Sequence, residues 1–216
     1  MTKEEGKEYS DNGGKFEEEI ANIINDKSHP LYSKLSSELN LNGTEVATAD
    51  RKTIGRLKSG GNPKTDVIAG QATISCKKTT KKYVSAHEYD FEKFSEVLDP
   101  NNQKLKSLLE DFQIAGGKKA LGKAKEEELT NELKPYRRKL VEWVLAGNAQ
   151  DVTNPNQIAN YLVINDDSDV YVHSVKDYVD ELLKEENEAQ FGTPFRWTYP
   201  SKKKGEKIQL KCKIIK

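Results

Sequence analysis

Residues 65–78 read TDVIAGQATISCKK and place an acid, a hydroxyl and a lysine around a short turn that contains glycine. Two apolar runs flank that turn, which predicts a β-hairpin. Successive strand residues point to opposite faces, so Ser75 and Lys77 share one side of the second strand, and the hairpin returns Asp66 towards that side. The sequence therefore predicts a small polar cluster in which a carboxylate lies close to a lysine ammonium.

An acid and a lysine in this arrangement suit the metal-assisted hydrolysis of a phosphodiester. The Asp66 carboxylate offers Mg²⁺ a hard oxygen ligand, and the metal polarises the phosphate and helps to activate water. The Lys77 ammonium can orient the attacking water and stabilise the charge that grows on the phosphorus. Glu18 could add a second carboxylate if its helix packs beside the sheet. The pattern is short, and a lysine at a strand end is more often an ordinary solvent-facing residue, so spacing alone leaves both interpretations open.

The net charge is zero, but the charges are strongly segregated along the chain. The C-terminal part is basic, with one acid, Glu206, among Arg196, Lys202, Lys203, Lys204, Lys207, Lys211, Lys213 and Lys216. A second basic cluster contains Lys77, Lys78, Lys81 and Lys82. Basic blocks on a neutral chain favour a one-sided face that binds a polyanion, although any single lysine run is more often a solvated loop or tail.

Composition excludes several other classes of protein. Cys76 and Cys212 are the only cysteines, too few for a disulfide framework and without metal-ligand spacing. Three scattered histidines argue against a zinc finger, an HNH-type site or a Ser-His triad. No segment approaches the length of a membrane span, and the first ten residues carry no apolar signal region, so we expect a cytoplasmic protein. At 216 residues, a single domain over 1–216 is expected.

Apolar periodicity predicts a mixed α/β fold. The predicted helices are near 14–26, 31–41, 88–98 and 102–113, on both sides of Pro135, through 158–162, and over 175–185. The predicted strands are 66–69, 72–77, 83–85, 161–165, 169–174, 196–200 and 206–215. In the last strand, apolar residues alternate with Gln209 and Lys211, so one face is apolar and the other is polar and basic. Trp143 and Trp197 are expected in the core.

Several longer blocks make the chain resemble a known family. In order, they are GGNPKTD (60–66), SCKKTTKKYVSAHEYD (75–90), ELKPYRRKLVEWV (132–144), IANYLVIN (158–165), VKDYVDELL (175–183) and FGTPFRWTYPSKKKGEKIQLK (191–211). Together they resemble the MspI-like type II restriction endonucleases of the PD-(D/E)xK nuclease superfamily, from about Gly14 to Lys211. The resemblance implies an α/β fold with a restriction-endonuclease-like mixed β-sheet core flanked by helices.

The resemblance also implies roles for the polar cluster. Asp66 falls on the family's metal-binding aspartate and Lys77 on its catalytic lysine, with Mg²⁺ as the cofactor. Ser75 falls where these enzymes carry asparagine instead of the acid usual in the superfamily, so here the departure goes one step further. Glu18 aligns with a helix glutamate that could supply the missing charge, and the main-chain carbonyl of Cys76 is a further candidate ligand.

For recognition, the resemblance implies a basic DNA-recognition segment over 191–216. Ser85, Thr198, Gln209 and Lys211 fall where MspI-like enzymes approach base edges, and their side chains have suitable donors and acceptors. A second set of lysines is expected to contact phosphates, which position the duplex without specifying its sequence. This set comprises Lys78, Lys81, Lys82 and Lys203.

The function implied by the resemblance is Mg²⁺-dependent, site-specific hydrolysis of double-stranded DNA at a four-base palindrome. The expected target is CCGG, although a sister palindrome such as GCGC stays open. A monomer is implied, with a cognate DNA methyltransferase in the same restriction-modification system. Two alternatives remain: a nuclease of the same fold with a nicking, repair or junction-cleaving task, and a non-catalytic DNA-binding protein in which Ser75 marks a decayed site.

Overall fold

The computed structural model describes residues 3–79, 82–166, 168–200 and 202–215. The chain forms two compact units: the first lies within residues 1–81 and 145–178, and the second within 82–144 and 179–215. The single domain over 1–216 stays a prediction.

The elements follow a mixed order along the chain. The helices are α1 (Lys3–Asn25), α2 (Tyr32–Glu38), α3 (Arg51–Ile54), α4 (Phe91–Leu98), α5 (Gln103–Ala115), α6 (Lys118–Leu121), α7 (Lys123–Leu133), α8 (Arg137–Ala146) and α9 (Val175–Leu182). The strands are β1 (Ala47–Thr48), β2 (Val67–Ala69), β3 (Ala72–Lys78), β4 (Tyr83–Tyr89), β5 (Tyr161–Asn165), β6 (Val170–Ser174), β7 (Phe195–Thr198) and β8 (Ile208–Lys213). None of the helices in the described residues is long and apolar enough to span a bilayer.

The first unit contains a five-stranded mixed sheet with the strand order β1-β2-β3-β5-β6. β2 and β3 form the predicted antiparallel hairpin, β3 runs parallel to β5, and β5 is antiparallel to β6. β3 is therefore a central strand with partners on both sides, and its residues are held in a fixed register. The predicted mixed sheet flanked by helices is confirmed.

Helix α1 covers one face of this sheet because its apolar residues recur on one side. Phe16, Ile20 and Ile24 follow the helical repeat and are buried against the sheet residues Val67 and Ile74. Each such side chain contributes about 1.5–3 kcal/mol when it is fully removed from water. The packing fixes the rotation of α1 about its axis, which decides which of its acids faces the hairpin.

The second unit contains a three-stranded antiparallel sheet with the order β4-β8-β7. Its core is aromatic: Trp143 packs edge-on against Phe94 with ring centroids 5.1 Å apart, and Trp197 lies 5.6 Å from Phe94 and 5.8 Å from Phe112. Both tryptophans are buried, so their predicted place in the core is confirmed.

Helix α1 begins much earlier than predicted, and one predicted helix is wrong. Residues 158–162 were expected to be helical, but Tyr161 already opens strand β5. The Asn160 side chain accepts from the main-chain N–H of Thr73 (2.7 Å), and the Asn160 N–H donates to the Thr73 carbonyl (2.8 Å). These long-range bonds hold the segment against β3, and tertiary pairing outweighs the local helical pattern.

The break at Pro135 is confirmed, since a 3₁₀ turn over Lys134–Tyr136 separates α7 from α8.

Candidate functional site

The candidate active site lies at the open end of the β2–β3 hairpin. The main-chain N–H of Asp66 donates to the carbonyl of Ile74 (2.7 Å), which extends the pairing beyond β2. The Asp66 carboxylate turns towards β3, where Oδ2 accepts from the N–H of Cys76 (2.8 Å) and from the hydroxyl of Ser75 (3.3 Å). Asp66 is 7% exposed, so the two strands fix a nearly buried carboxylate.

Lys77 completes this cluster from β3. Its Nζ donates to the hydroxyl oxygen of Ser75 (2.8 Å) and to the carbonyl oxygen of Cys76 (2.9 Å), and lies 3.5 Å from Oδ2 of Asp66. The Lys77 side chain is 21% exposed, so the ammonium is shielded but reachable. The structure thus brings Asp66, Ser75 and Lys77 together, as strand alternation predicts, and their catalytic roles stay predictions.

The carboxylate that α1 directs towards Asp66 belongs to Glu17 and not to Glu18. The Glu18 side chain is exposed, whereas that of Glu17 is 18% exposed and interacts electrostatically with Asp66 and Lys77. Neighbouring helix residues point about 100° apart, so only one of the two can face the sheet. Counted from position 17, the buried positions 20, 21 and 24 lie at i+3, i+4 and i+7, so position 17 is on the same face of α1 as these buried residues. The structure therefore brings Glu17, and not the predicted Glu18, to the cluster, and a metal-binding role for Glu17 is a proposal.

Arg51 joins the two carboxylates and was not singled out from the sequence. Its Nη2 donates to both oxygens of Glu17, at 2.9 and 2.8 Å, and to Oδ1 of Asp66 at 3.0 Å. Its Nη1 lies 3.4 Å from the carbonyl oxygen of Thr65. Arg51 is 34 residues from Glu17 and 15 from Asp66, so no local pattern could have linked them.

The pKa shifts follow from burial and from these charges. Burial raises the pKa of Glu17, the charge of Asp66 raises it further, and Arg51 opposes both effects. Burial works to lower the pKa of Arg51, but the two carboxylates outweigh it, so the net shift is upward and the guanidinium stays charged. Burial and then the charge of Asp66 raise the pKa of the Cys76 thiol, which stays protonated. That thiol lies in the core under α1, so Cys76 can serve the site only through its main chain.

The groups that could hold a metal are all oxygen donors. They are the carboxylates of Glu17 and Asp66, the hydroxyl of Ser75 and the carbonyl of Cys76. In the part of the chain that the structure describes, no three His, Cys, Asp or Glu side chains gather into a metal-binding group. Hard oxygen ligands and two negative charges fit Mg²⁺ and do not favour a soft metal.

Lys64 places a second amine near this cluster. Burial, followed by the charge of Lys77, lowers the pKa of Lys64 to about 7, against the opposing charge of Asp66. Its side-chain stem packs over Gly147, which has a φ of +78°, and a Cβ there would lie 2.7 Å from Cγ of Lys64. The glycine therefore makes room for the lysine stem.

The shifted pKa of Lys64 predicts a pH-dependent stability. The unfolded chain keeps this proton up to about pH 10.5, whereas the folded chain releases it near pH 7. Between these values the unfolded state binds more protons, so the free energy of unfolding increases with pH. In Lys64→Met, the free energy of unfolding should increase less with pH. Urea unfolding in EDTA at about pH 6.5 and about pH 9 measures this difference. The control is Lys52→Met at an exposed lysine, and an unchanged slope in Lys64→Met would contradict the prediction.

The four predicted base-reading residues lie on the three-stranded sheet of the second unit. The register pairs Ser85 with Lys211, and Gln209 with Thr198. Directly paired residues of antiparallel strands project from the same face, so these four share one surface. The opposite face of β8 is buried through Ile208, Leu210 and Cys212.

Each of these pairs gains a third residue that the sequence did not single out as base-reading. Arg196 pairs with Lys211, and Glu88 pairs with Gln209. One row therefore reads Ser85, Lys211, Arg196 and the other reads Glu88, Gln209, Thr198. Arg196 is exposed, and its guanidinium lies 3.8 Å from the ring centroid of Tyr83. The signal in the sequence was the alternation of β7, which puts Arg196 and Thr198 on one side.

A β-bulge in β4 determines which of its residues belong to these two rows. The register shifts between Ser85 and His87, and both Ala86 and His87 are buried. Ser85 and Glu88 consequently share the outer face although they are three residues apart. Regular alternation from Ser85 would have pointed His87 outwards, so the sequence pattern alone misassigns this strand.

The predicted phosphate-binding lysines are exposed where the structure describes them. Lys78 ends β3, Lys82 precedes β4, and Lys203 lies in the loop between β7 and β8. Lys203 forms an ion pair with Glu88 at 3.3 Å. Such an exposed pair contributes little to stability and can be exchanged for another partner. Lys81 lies outside the described residues.

Comparisons with known proteins find a matching family and similar sequences. The family model described as restriction endonuclease MspI matches residues 17–212. The type II restriction enzyme MspI of Moraxella sp is 30% identical over 201 residues, which cover 84% of this chain and 76% of that protein. The type II restriction enzyme BsuFI of Bacillus subtilis is 33% identical over 168 residues, covering 72% of this chain and 41% of that protein.

A solved structure is also similar over most of its length. The crystal structure of restriction endonuclease MspI in complex with its cognate DNA gives a TM-score of 0.69 at 26% identity, covering 90% of this chain and 83% of that one. The family match over residues 17–212 includes the hairpin cluster as well as the three-stranded sheet. The chain therefore belongs to the MspI family of type II restriction endonucleases.

Proposed function

We propose that this restriction endonuclease cleaves double-stranded DNA with Mg²⁺ at a four-base palindrome, with CCGG as the expected target. The observation that supports cleavage most directly is the approach of Lys77 Nζ to Asp66 Oδ2, at 3.5 Å, beside an all-oxygen donor set. The relatives are named as type II restriction enzymes, and a similar structure was solved with its cognate DNA. DNA is therefore the proposed partner of this chain.

Asp66 and Glu17 would hold the metal through their carboxylates, with the carbonyl of Cys76 as a third oxygen. When bound, the metal polarises the scissile phosphate. Ser75 is neutral and so is a weak ligand, and it can act through a bridging water. Its hydroxyl already accepts from Lys77 Nζ at 2.8 Å, which holds the ammonium in place.

Lys77 is the residue that would meet the reacting phosphate. Its ammonium can orient a water molecule for in-line attack and stabilise the negative charge that develops on the phosphoryl oxygens. The Lys77 side chain is partly exposed, while the Asp66 carboxylate beside it is nearly buried. This contrast lets the ammonium reach a phosphate while the carboxylate stays fixed.

The two rows of the second unit would read the bases. Lys211 can donate to guanine O6 and N7, Gln209 can both donate and accept, and the hydroxyls of Ser85 and Thr198 adapt to either. A symmetric site read by one chain cannot use matching contacts on both halves, so a monomer would contact the palindrome asymmetrically.

We also propose a cytoplasmic enzyme that acts beside a cognate DNA methyltransferase.

The test is digestion of a plasmid of known sequence, followed by mapping of the fragment ends. Discrete fragments in Mg²⁺, with every end inside CCGG and none in EDTA, are the expected result. Ends at another four-base palindrome would replace the proposed target, and nicked circles or random products would favour a nuclease with a different task. Gel filtration at working concentration checks the monomer.

The second candidate is a non-catalytic DNA-binding protein, because Ser75 places a neutral hydroxyl where the resemblance implies an amide and the superfamily an acid. It would bind a target duplex in Ca²⁺ and leave it uncut in both Mg²⁺ and Mn²⁺. That combination would contradict the proposed function.

The serine also gives a prediction about rate. Ser75→Asn introduces the amide that the resemblance implies for this position, and an amide oxygen is a better ligand than a hydroxyl. We expect cleavage to be equal or up to about tenfold faster, at a lower Mg²⁺ requirement, because a tenfold change needs only about 1.4 kcal/mol of the barrier. Single-turnover cleavage against Mg²⁺ concentration measures both quantities. Ser75→Ala is the control, and an inactive, folded Ser75→Asn would count against the assigned position.

A further inference from the structure

Arg51 occupies the space between the two carboxylates of the candidate active site. One nitrogen, Nη2, lies 2.8 and 2.9 Å from the oxygens of Glu17 and 3.0 Å from Oδ1 of Asp66. The other oxygen of Asp66 accepts from the N–H of Cys76 and lies near the hydroxyl of Ser75. The contacts of Asp66 with β3 therefore use Oδ2, and Arg51 contacts Oδ1.

The charges explain why a cation belongs at this point. Glu17 and Asp66 bring two carboxylates together in a partly buried place, where their negative charges repel each other. Arg51 supplies one positive charge at hydrogen-bonding distance, and Lys77 supplies another at 3.5 Å from Asp66. A divalent cation that uses the same carboxylate oxygens would meet the Arg51 guanidinium at close range.

Arg51 is held less firmly than the carboxylate it contacts. It opens the four-residue helix α3, whereas Asp66 is fixed beside the paired strands β2 and β3. The Arg51 side chain is 40% exposed, against 10% for Asp66. The guanidinium can therefore move towards solvent without displacing a strand.

We propose that Arg51 is a positioning residue, which holds the Glu17 and Asp66 carboxylates together in the metal-free chain and is displaced when a divalent cation binds them. The inference rests on the proposed metal site and adds a competitor to it. The guanidinium keeps the ligands in place, and its displacement lowers the observed metal affinity. A purely structural role would predict the reverse, because loss of a stabilising contact would disorder the ligands and weaken metal binding.

The experiment measures Mn²⁺ binding to the full chain without DNA, by electron paramagnetic resonance of free Mn²⁺. Arg51→Met keeps a long apolar stem and removes the charge. We expect its Kd for Mn²⁺ to tighten by about 5- to 150-fold, the fold-change that a typical coupling free energy between two binding events produces. Arg51→Lys, which keeps the charge, should restore a Kd close to that of the wild type. Arg56→Met is the matched control, since Arg56 donates to the Gly60 carbonyl at 2.9 Å, and it should leave the Kd unchanged.

The outcomes separate this inference from the proposed function. Mn²⁺ binding that is equal or weaker in folded Arg51→Met would overturn the displacement and leave the metal site standing. If neither the wild type nor Arg51→Met binds Mn²⁺, the metal site itself is wrong and the inference falls with it. If Arg51→Met does not fold, the side-chain Nε–H resonance of Arg51 in the wild type decides the matter. It should shift on saturation with Mg²⁺ while that of Arg56 stays in place, and an unmoved Arg51 resonance would refute the proposal.

Discussion

Lys77→Met should lower the single-turnover rate of DNA cleavage by about 100- to 1,000-fold, the usual loss when one group aimed at developing charge is removed. The reason is local: Lys77 Nζ is held by the Ser75 hydroxyl and the Cys76 carbonyl beside Asp66. Methionine keeps the length of the side chain but cannot donate to a phosphoryl oxygen. Single-turnover cleavage in Mg²⁺, with DNA binding measured separately in Ca²⁺, distinguishes lost chemistry from lost affinity.

The matched control is Lys78→Met, at the next residue of the same strand. Successive strand residues point to opposite faces, so this change removes the same charge from β3 on the other side. It should weaken DNA binding and leave the single-turnover rate at saturating enzyme nearly unchanged. A companion variant, Asp66→Asn, should lose cleavage together with metal binding, because it replaces the anionic ligand with an amide. A Lys77→Met enzyme that cuts at the wild-type rate would remove Lys77 from the mechanism.

Lys211→Ala should remove discrimination at one base pair, because Lys211 is the central residue of the row between Ser85 and Arg196. A lysine that donates to a guanine edge contributes about 1–3 kcal/mol of discrimination, so preference over the substituted base pair should fall by about 5- to 150-fold. The measurement is kcat/KM on the target and on duplexes that differ at one position. Preference at the remaining positions should be retained.

Lys203→Ala is the control for that prediction. Its ammonium pairs with Glu88 in the structure and is exposed, so it is available to a phosphate. We expect weaker binding to every sequence and a salt dependence smaller by about one unit of slope, without a change in preference. If Lys211→Ala and Lys203→Ala gave the same uniform loss, Lys211 would be a phosphate contact and not a base-reading residue.

The hairpin cluster could be predicted because its geometry is local. A tight turn and the two-residue repeat of a strand suffice to bring Asp66 back to Ser75 and Lys77. The correction from Glu18 to Glu17 has a different origin, since three consecutive acids offer three orientations and the packing of Ile20 and Ile24 selects one. The helical spacing of these apolar residues contained that information. Position 17 lies on the same face of α1 as Ile20 and Ile24, whereas position 18 does not.

The remaining differences come from contacts between distant parts of the chain. Arg51 reaches Glu17 and Asp66 from a segment that is rich in turn-forming residues, and nothing in its neighbours indicates a charged partner. Residues 158–162 extend because Asn160 bonds to Thr73, 87 positions away. In both cases the deciding interaction is absent from the local sequence window.

The bulge in β4 changes how sequences of this family should be compared. In the register, Ser85 pairs with Lys211, His87 with Leu210 and Glu88 with Gln209. Ala86 is therefore the one residue of β4 that has no paired residue in β8. A relative that lacks one residue at this point can present the same pair of outward side chains from an uninterrupted strand. An alignment that allows no gap at Ala86 would assign such a relative's recognition residues to the wrong positions and would mistake a shared specificity for a different one.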